Sequence, residues 1–545
     1  MTERWYREAV LYCIEVDTFQ DSNGDGWGDL PGLTDRLDYL AALGVTCLWL
    51  NPIHPTPHRD DGYDVSDYYG IDPRLGTLGD FVEFVNQAAS RGIRVMLDLV
   101  VNHTSSEHPW FQDARSSPDS PYRDWYVWSD TEPPDRRQGI VFPGEQTETW
   151  TYDKDARAWY FHRFYDFQPD LNWDNPDVRA EIARVMAYWL QLGVAGFRVD
   201  ATPFVLEHVS PGTNAGPKDF GILDTWRQDL QWQRGDSVLL CEANVPPGEI
   251  AKYFGSRVDG PADRAHMLFS FLLNTKLWLA LARSDAEPLI DALRGLPPVP
   301  HGAQWVTFLR NHDELDLSTL TDEQRADVFR AFAPRSEMRL YDRGIRRRVA
   351  PMLRGDRRHI ELAYALQFSM PGTAALRYGE EIGMGENLAE HGRDAIRTPM
   401  QWDDGPAAGF STADELPRSV ITRGPFGYRR VNVRGQQQDP ESLQRWFEHL
   451  IRTVRGCPEI GTGVATVLDP PLPRSVLAHR FDAPSGSVLL LHNLADRAVT
   501  VDLGRLDGTS RRPYDVLADA TYGPLSARLD GLELRGWGYR WIRLS

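Results

Sequence analysis

With 545 residues and a formal net charge of −19, the chain is too long for one ordinary compact domain and carries an acidic surface. Nucleic acid and anionic membranes are excluded as main partners, because both bind clustered Lys and Arg. No run approaches the roughly 18 apolar residues of a membrane-spanning helix, and no secretory leader is recognisable at the start. These features predict a cytoplasmic protein that does not bind a membrane.

The first half of the sequence repeats one unit, in which a glycine-capped helix is followed by a short apolar strand that ends in a polar residue. The helices close at Gly44, Gly92 and Gly193, and two later strands end at Glu242 and Arg310. Apolar strands that alternate with helices form parallel sheets, and polar residues at strand carboxyl ends line the site of a closed barrel. We therefore predict an α/β fold, a (β/α)8 TIM barrel with its site at that end.

Two departures from the repeat predict further domains. The barrel is assigned to residues 1–101 and 176–459, and the segment 102–175, rich in Trp, Tyr, Pro and Asp, is too long for a simple loop and predicts an inserted subdomain after the third strand. A helical excursion is expected at 320–353. From 460 to 545, short alternating runs divided by Gly, Pro and Asp predict a C-terminal all-β domain, a β-sandwich.

An acidic, glycine-rich loop follows the first strand and places oxygen ligands at alternate positions, as calcium loops do. The loop is not an EF-hand, because Gly32 stands where that motif needs a bidentate Glu. All-oxygen ligands favour Ca²⁺, with Mg²⁺ as the second choice, over zinc. A turn held by its own Asx side chains is the alternative. The predicted metal ligands are Asp21, Asn23, Asp25, Trp27 and Asp29.

The stretch Gly196–Ala201 ends a predicted strand with two opposite charges. Side chains alternate along a strand, so Arg198 and Asp200 point the same way. The cation is expected to lower the pKa of Asp200, which suits a nucleophile. Glu242 follows an apolar run without a cation nearby in sequence, and a raised pKa would suit a proton donor.

Four motifs, in chain order, carry a resemblance to a known family. They are DLVVNH at 98–103, GFRVDA at 196–201, EAN at 242–244 and NHD at 311–313. Together they resemble the four signature regions of the α-amylase family, glycoside hydrolase family 13. QPDLN at 168–172 is similar to a fifth region found in the α-glucosidase-like branch. The resemblance extends from Trp5 to the C-terminal β domain.

The resemblance implies a retaining mechanism, in which Asp200 is the nucleophile that forms a covalent β-glucosyl intermediate. Glu242 would be the general acid/base, and Asp313 would stabilise the distorted sugar. The predicted substrate-binding residues are Asp60, Tyr63, His103, Arg198, His312 and Arg397. Asp60 and Arg397 are expected to pair and close the far end of the site, which predicts an exo-acting enzyme for small α-glucosides.

A second Ca²⁺ beside the inserted subdomain is also implied by the resemblance. Its ligands would be Asn102, Asp170, Glu207 and a backbone carbonyl near Phe204. No organic cofactor is expected, and a homo-oligomer is left open. The presence of all three catalytic carboxylates argues against a non-catalytic binding protein.

Several long stretches are similar to the branch of the family that converts maltose to trehalose inside a closed pocket: 308–315, 344–351 and 383–387. Loops that would rim the acceptor pocket depart from that branch: 51–55, 245–247 and 388–392. Such changes can admit water or another acceptor. The alternatives are therefore an exo-acting α-glucosidase that hydrolyses maltose, trehalose or sucrose, and a transglucosylase that uses another small acceptor. Family members that prefer α-1,6 bonds commonly have Val directly after the nucleophile. By that resemblance, Ala201 argues against α-1,6 linkages.

Overall fold

The computed structural model describes residues 4–214, 216–257, 260–469, 471–507 and 512–544. The strands are β1 Val10–Ile14, β2 Cys47–Leu50, β3 Arg94–Leu99, β4 Trp128–Ser129, β5 Trp150–Asp153, β6 Ala158–Phe161, β7 Gly196–Val199, β8 Val238–Cys241, β9 Met267–Phe269, β10 Gln304–Thr307, β11 Leu315–Asp316, β12 Arg339–Leu340, β13 Gly344–Ile345, β14 Thr373–Arg377, β15 Val464–Val467, β16 Val476–Ala483, β17 Gly486–Asn493, β18 Val499–Val501, β19 Tyr514–Ala518, β20 Leu532–Leu534 and β21 Tyr539–Arg543.

The helices are α1 Leu30–Asp35, α2 Leu37–Leu43, α3 Leu78–Ser90, α4 Pro109–Ser116, α5 Pro176–Gln191, α6 Thr202–Val205, α7 Gly221–Gln233, α8 Pro247–Phe254, α9 Phe271–Arg283, α10 Glu287–Gly295, α11 Asp322–Phe332, α12 Val349–Met352, α13 Arg357–Phe368, α14 Val433–Gln438, α15 Leu443–Arg455 and α16 Glu459–Thr462.

Eight parallel strands close into a barrel in the order β1-β14-β10-β9-β8-β7-β3-β2. Their residues are almost all buried, as expected of apolar strands that pack inside a ring of helices. The register places Arg198 of β7 opposite Asp98 of β3. The predicted fold class is confirmed, and strand pairing explains why motifs distant in sequence meet at one end of the barrel.

The glycine that closes α2 shows why the helix-to-strand unit repeats. Gly44 has a φ of 96° and caps the helix in the left-handed region. A Cβ atom there would lie 2.8 Å from a side-chain carbon of Ile451 on α15. Glycine therefore permits both the turn into β2 and the close approach of the outer helix.

Two excursions leave the barrel on the side of its strand carboxyl ends. The first follows β3 and contains α4 and a small sheet ordered β4-β6-β5. The second contains α11, α12 and a sheet ordered β11-β13-β12. The excursion at 320–353 contains the expected helices, α11 and α12, together with β12 and β13, which are too short to give an alternating pattern in the sequence. The residue limits assigned to the domains stay predictions.

From Val464 onward, after α16, the described residues of the C-terminal region form strands, turns and loops without a helix. A five-stranded antiparallel sheet is ordered β15-β16-β17-β21-β19, and β18 pairs with β20. An apolar cluster that includes Leu489, Leu529 and Ile542 joins these strands. Within the described ranges, no helix is both long and apolar enough to cross a membrane.

Candidate active site

A cavity of about 430 Å³ lies at the carboxyl ends of the barrel strands. The three predicted catalytic carboxylates, those of Asp200, Glu242 and Asp313, all line it. So do three of the predicted substrate-binding residues, Asp60, Tyr63 and His103. The other three, Arg198, His312 and Arg397, are buried behind this wall and contact the residues that form it.

Arg198 is the centre of the carboxylate cluster. Its Nη1 donates to Oδ1 of Asp200 at 2.7 Å and to Oδ2 of Asp98 at 3.0 Å. Its Nη2 donates to Oε2 of Glu242 at 2.7 Å, and the backbone N–H of Ala201 donates to the same oxygen at 3.1 Å. Because one guanidinium reaches both Asp200 and Glu242, the two carboxyl groups are held close together over β7 and β8.

The pKa values correct one part of the sequence prediction. Burial raises the pKa of Asp200 to about 6 despite the opposing charge of Arg198, so the expected lowering is wrong. Burial, with Asp200 and Asp313 adding to it, raises the pKa of Glu242 to about 7, which agrees with the expected direction. Glu242 is nevertheless not free of cations, because strand pairing brings it to Arg198. Arg198 and Glu242 are 44 residues apart in sequence, so the sequence alone did not indicate this contact.

A chain of hydrogen bonds joins the floor of the cavity to Asp313. Oδ1 of Asp98 accepts from the indole N–H of Trp49 at 2.6 Å, and its Oδ2 accepts from the Tyr63 hydroxyl at 2.6 Å. The Tyr63 oxygen lies 2.7 Å from Nε2 of His312, which is 3.1 Å from Oδ2 of Asp313. His103 lies on another side, where its Nε2 is 2.9 Å from the Tyr63 carbonyl oxygen.

Asp313 is surrounded by cations. Arg393 approaches its Oδ1 at 3.0 Å and Arg397 approaches the same atom at 3.2 Å. Burial opposes ionisation, but Arg393, His312 and Arg397 together lower the pKa of Asp313 well below its usual range. Asp313 is therefore a permanent carboxylate, unlike Asp200 and Glu242.

The far wall differs from the predicted pairing. Arg397 forms its ion pair with Asp61, not with Asp60, and Arg418 binds the other oxygen of the Asp61 carboxylate. The Asp60 carboxylate instead accepts from the side-chain amide of Gln168 at 2.8 Å. Asp61 adopts a φ of 49°, in the left-handed region of backbone conformation. Adjacent aspartates cannot be distinguished by sequence spacing.

Charged residues on the acceptor side were missed by the sequence analysis. Arg393 also donates from Nε to Oε2 of Glu314 at 2.8 Å. From the second excursion, Arg343 donates to the carbonyl oxygen of Val141 in the inserted subdomain at 2.8 Å, and it lies 3.5 Å from Asp316. One feature of the sequence indicated Arg393: this residue directly follows the loop 388–392, which departs from the family pattern.

The predicted calcium loop has an all-oxygen donor set. Among the described residues, no three His, Cys, Asp or Glu side chains are grouped as metal ligands, so amide and carbonyl oxygens would have to complete any site in this loop. Asp21 accepts backbone hydrogen bonds from Asn23, Gly24 and Gly26, and Asp25 accepts one from Trp27. These Asx turns order the loop, and its side-chain donors are oxygens, the ligand type that hard divalent cations prefer.

The second predicted metal set contains a competing cation. Asn102, Asp170 and Glu207 are neighbours, and the carbonyl of Phe204 accepts from the Glu207 backbone N–H at 3.2 Å. However, the Glu207 carboxylate lies 3.0 Å from the buried guanidinium of Arg163. Because the charge of Glu207 is already paired with that of Arg163, less carboxylate charge is left for an ion here than in the first loop. The second Ca²⁺ site stays a prediction.

Barrel, carboxylate cluster and charged far wall together define the class of protein, an enzyme of the glycoside hydrolase type. The sequence model described as alpha amylase, catalytic domain, matches residues 14–337 and 345–459. The chain belongs to the α-amylase family, glycoside hydrolase family 13.

Individual relatives match nearly the whole chain. A trehalose synthase of Pimelobacter sp. is 40% identical over 555 residues, which cover 99% of this chain and 96% of that protein. A trehalose synthase/amylase of Mycobacterium tuberculosis is 40% identical, covering 99% and 90%. Among solved structures, a mutant of the trehalulose synthase MutB of Pseudomonas mesoacidophila, bound to Tris, is 25% identical with a TM-score of 0.79, and 99% of this chain and 100% of that one are covered.

Proposed function

We propose that this enzyme converts maltose to trehalose by retaining, intramolecular glucosyl transfer. Asp200 attacks the anomeric carbon of the non-reducing glucose, and Glu242 gives its proton to the departing glycosidic oxygen. The released glucose turns within the pocket, and its anomeric hydroxyl attacks the β-glucosyl ester while Glu242 takes back the proton.

The arrangement around Arg198 supports the retaining mechanism. Retaining glycosidases hold their two carboxyl groups about 5 to 5.5 Å apart, whereas inverting enzymes leave room for a water molecule. One guanidinium within 2.7 Å of both Asp200 and Glu242 favours the short separation. The raised pKa of Glu242, about 7, suits a group that must be protonated when the bond breaks.

The contacts that join the loops around the cavity are the observation that carries the proposal of internal transfer. Behind the cavity wall, Arg397 joins Asp61 to Asp313, and we take this charged side as the one that receives a glucosyl chain end. On the acceptor side, Arg343 joins the inserted subdomain to the second excursion, and Arg393 joins Asp313 to Glu314. A wall of this kind retains a released glucose and limits the entry of water. The high identity to trehalose synthases over the whole chain supports the same substrate.

Hydrolysis of small α-glucosides is the second candidate function. It is favoured by the name of the mycobacterial relative, trehalose synthase/amylase, since an amylase is a hydrolase. The two activities are distinguished by the products from maltose, followed by NMR. We expect trehalose to exceed glucose with the wild-type enzyme and the ratio to fall at least fivefold in Arg343→Ala, because the bridge to Val141 is lost. Arg335→Ala, which removes an exposed guanidinium, is the matched control. Glucose as the sole product of the wild-type enzyme would establish the hydrolase instead.

We also propose that the loop from Asp21 to Asp29 binds Ca²⁺ as a structural ion. The ion would neutralise three carboxylates that lie within nine residues of chain, and so fix the turn between β1 and α1. No step of the reaction passes through this loop.

A further inference from the structure

The segment that connects α6 to α7, residues 206–219, forms a strap beside the active-site cavity. Its two ends meet, because the backbone N–H of Asp219 donates to the carbonyl oxygen of Leu206 at 2.8 Å. Near its turn, the side-chain oxygen of Asn214 accepts from the indole N–H of Trp150 at 3.0 Å. Since Trp150 belongs to the inserted subdomain, the strap is fixed to that subdomain on one side.

An ion pair fixes the other side of the strap to α8. Nζ of Lys218 donates to Oε1 of Glu249 at 2.6 Å, and Glu249 lies in the first turn of the helix. Both side chains line the active-site cavity and are partly exposed, Lys218 at 17% and Glu249 at 29%. The pair therefore joins the loop after Asp200 to the loop after Glu242 at the wall of the cavity.

Lys218 is the cation that holds two acidic side chains together at this wall. Burial raises the pKa of Glu207; Arg163 and Lys218 oppose this rise, and Glu249 adds to it. The ammonium of Lys218 also lies 5.8 Å from the centre of the buried Tyr253 ring on α8. Without the charge of Lys218, Glu207 of the strap and Glu249 of α8 would repel each other.

The ion pair lies on the side of the cavity that we take as the leaving-group side. Asn244, Val245 and Pro246 follow Glu242 in the chain, line the cavity and lead directly to α8. Because Glu242 is proposed to protonate the glycosidic oxygen, the released glucose faces this wall. A gap between the strap and Glu249 would let that glucose leave, and it would let water or another sugar enter.

We propose that the Lys218–Glu249 ion pair is a latch that determines which acceptor takes the glucosyl group. It keeps the strap against α8 while the glucosyl ester exists, so the retained glucose reacts and molecules from solution do not. This inference rests on the proposed function. Both are positioning residues, because the wall that they join is separate from the reacting carboxyl groups of Asp200 and Glu242. Loss of the pair should therefore change the acceptor more than the rate at which maltose is consumed.

The test removes each charge and follows the acceptor. Lys218→Met removes the ammonium but keeps an unbranched apolar chain, and Glu249→Gln keeps the size of the side chain. Each variant is incubated with maltose and an equal concentration of uniformly ¹³C-labelled glucose, and products are examined by mass spectrometry and NMR. We expect the share of glucosyl groups transferred to water or labelled glucose to rise at least fivefold, while maltose consumption stays within threefold of wild type.

Two further variants separate the latch from a general effect on folding. Lys252→Met makes the same change at an exposed lysine of α8 and should give wild-type products. The double variant Lys218→Met/Glu249→Gln should change the products no more than either single variant, because all three lose the same contact. Melting temperatures are measured for each protein.

Wild-type products from both single variants, with trehalose formed by the wild type, would overturn the latch and leave the proposed function intact. Additive effects in the double variant, or an equal effect of Lys252→Met, would also overturn it. Glucose as the only product of the wild type would instead contradict the proposed function. The latch then predicts that the inhibition constant of added glucose against maltose rises at least fivefold in Lys218→Met and Glu249→Gln, and an unchanged constant would overturn it.

Discussion

Asp200 and Glu242 share one guanidinium but have different proposed tasks, and Arg198 is the residue that joins them. Each carboxyl receives one nitrogen of Arg198 at 2.7 Å, and Asp98 holds the guanidinium from below at 3.0 Å. The fully buried guanidinium of Arg198 therefore fixes the orientation of both carboxyl groups. The division of roles comes from burial and from the neighbouring charges, which place the pKa of Glu242 above that of Asp200.

Asp200→Asn tests the nucleophile directly. The amide keeps the size of the side chain but cannot form the glucosyl ester, so kcat on maltose should fall by on the order of 10⁴-fold or more. The melting temperature should change little. Asp229→Asn, on the outer helix α7, is the control and should retain full activity. Turnover of Asp200→Asn within tenfold of wild type would remove Asp200 from its assigned role.

The pH dependence of kcat/KM should be bell-shaped with limbs near 6 and 7. Asp200 must be ionised to attack, so activity is lost as the pH falls through about 6. Glu242 must be protonated, so activity is lost as the pH rises through about 7. Circular dichroism over the same range controls for unfolding. A flat profile between pH 5 and 9 would contradict both assignments.

At the scale of elements, the far wall depends on the loop after β2 and on two arginines from the segment that follows β14. Asp61 receives Arg397 and Arg418, and Arg397 also reaches Asp313. The ion pairs thus connect the loop after β2 to Asp313, the proposed stabiliser of the distorted sugar.

Asp61→Asn should weaken both stability and substrate binding. Removal of the charge leaves two buried guanidinium groups facing a neutral amide, which costs about 3 kcal/mol. We expect the melting temperature to fall by several degrees and KM for maltose to rise about tenfold. Asp38→Asn, on α2, is the control, since its exposed carboxylate pairs with Arg91 on the outside of the barrel. Equal effects of the two substitutions would show that Asp61 has no special role at the end wall.

Chelation tests the proposed calcium loop. An ion bound only by the folded state stabilises it by about 2.7 kcal/mol at a hundredfold excess over its dissociation constant. EDTA should therefore lower the melting temperature of the wild type, and added Ca²⁺ should restore it. Asp21→Ala should melt at a lower temperature and respond to neither treatment. A wild-type melting temperature that EDTA leaves unchanged would mean that the Asx turns alone hold the loop.

For the whole molecule, the sequence predicted the barrel, the C-terminal β region and the three carboxylates, because each depends on local patterns at strand ends. Contacts that depend on the approach of distant segments were not predictable. Glu242 meets Arg198 only after β7 pairs with β8, and Arg397 pairs with Asp61 and not with the adjacent Asp60. The bridge from Arg343 to Val141 joins two excursions about 200 residues apart, and no periodicity indicates such a contact.

The most direct test of the central claim follows the fate of the released glucose. Maltose is incubated with the enzyme and an equal concentration of uniformly ¹³C-labelled glucose, and the trehalose is examined by NMR and mass spectrometry. Because the pocket is proposed to retain the glucose that it releases, we predict trehalose that is almost entirely unlabelled. Trehalose with one labelled ring in proportion to the free glucose, or glucose without trehalose, would contradict intramolecular transfer in a closed site.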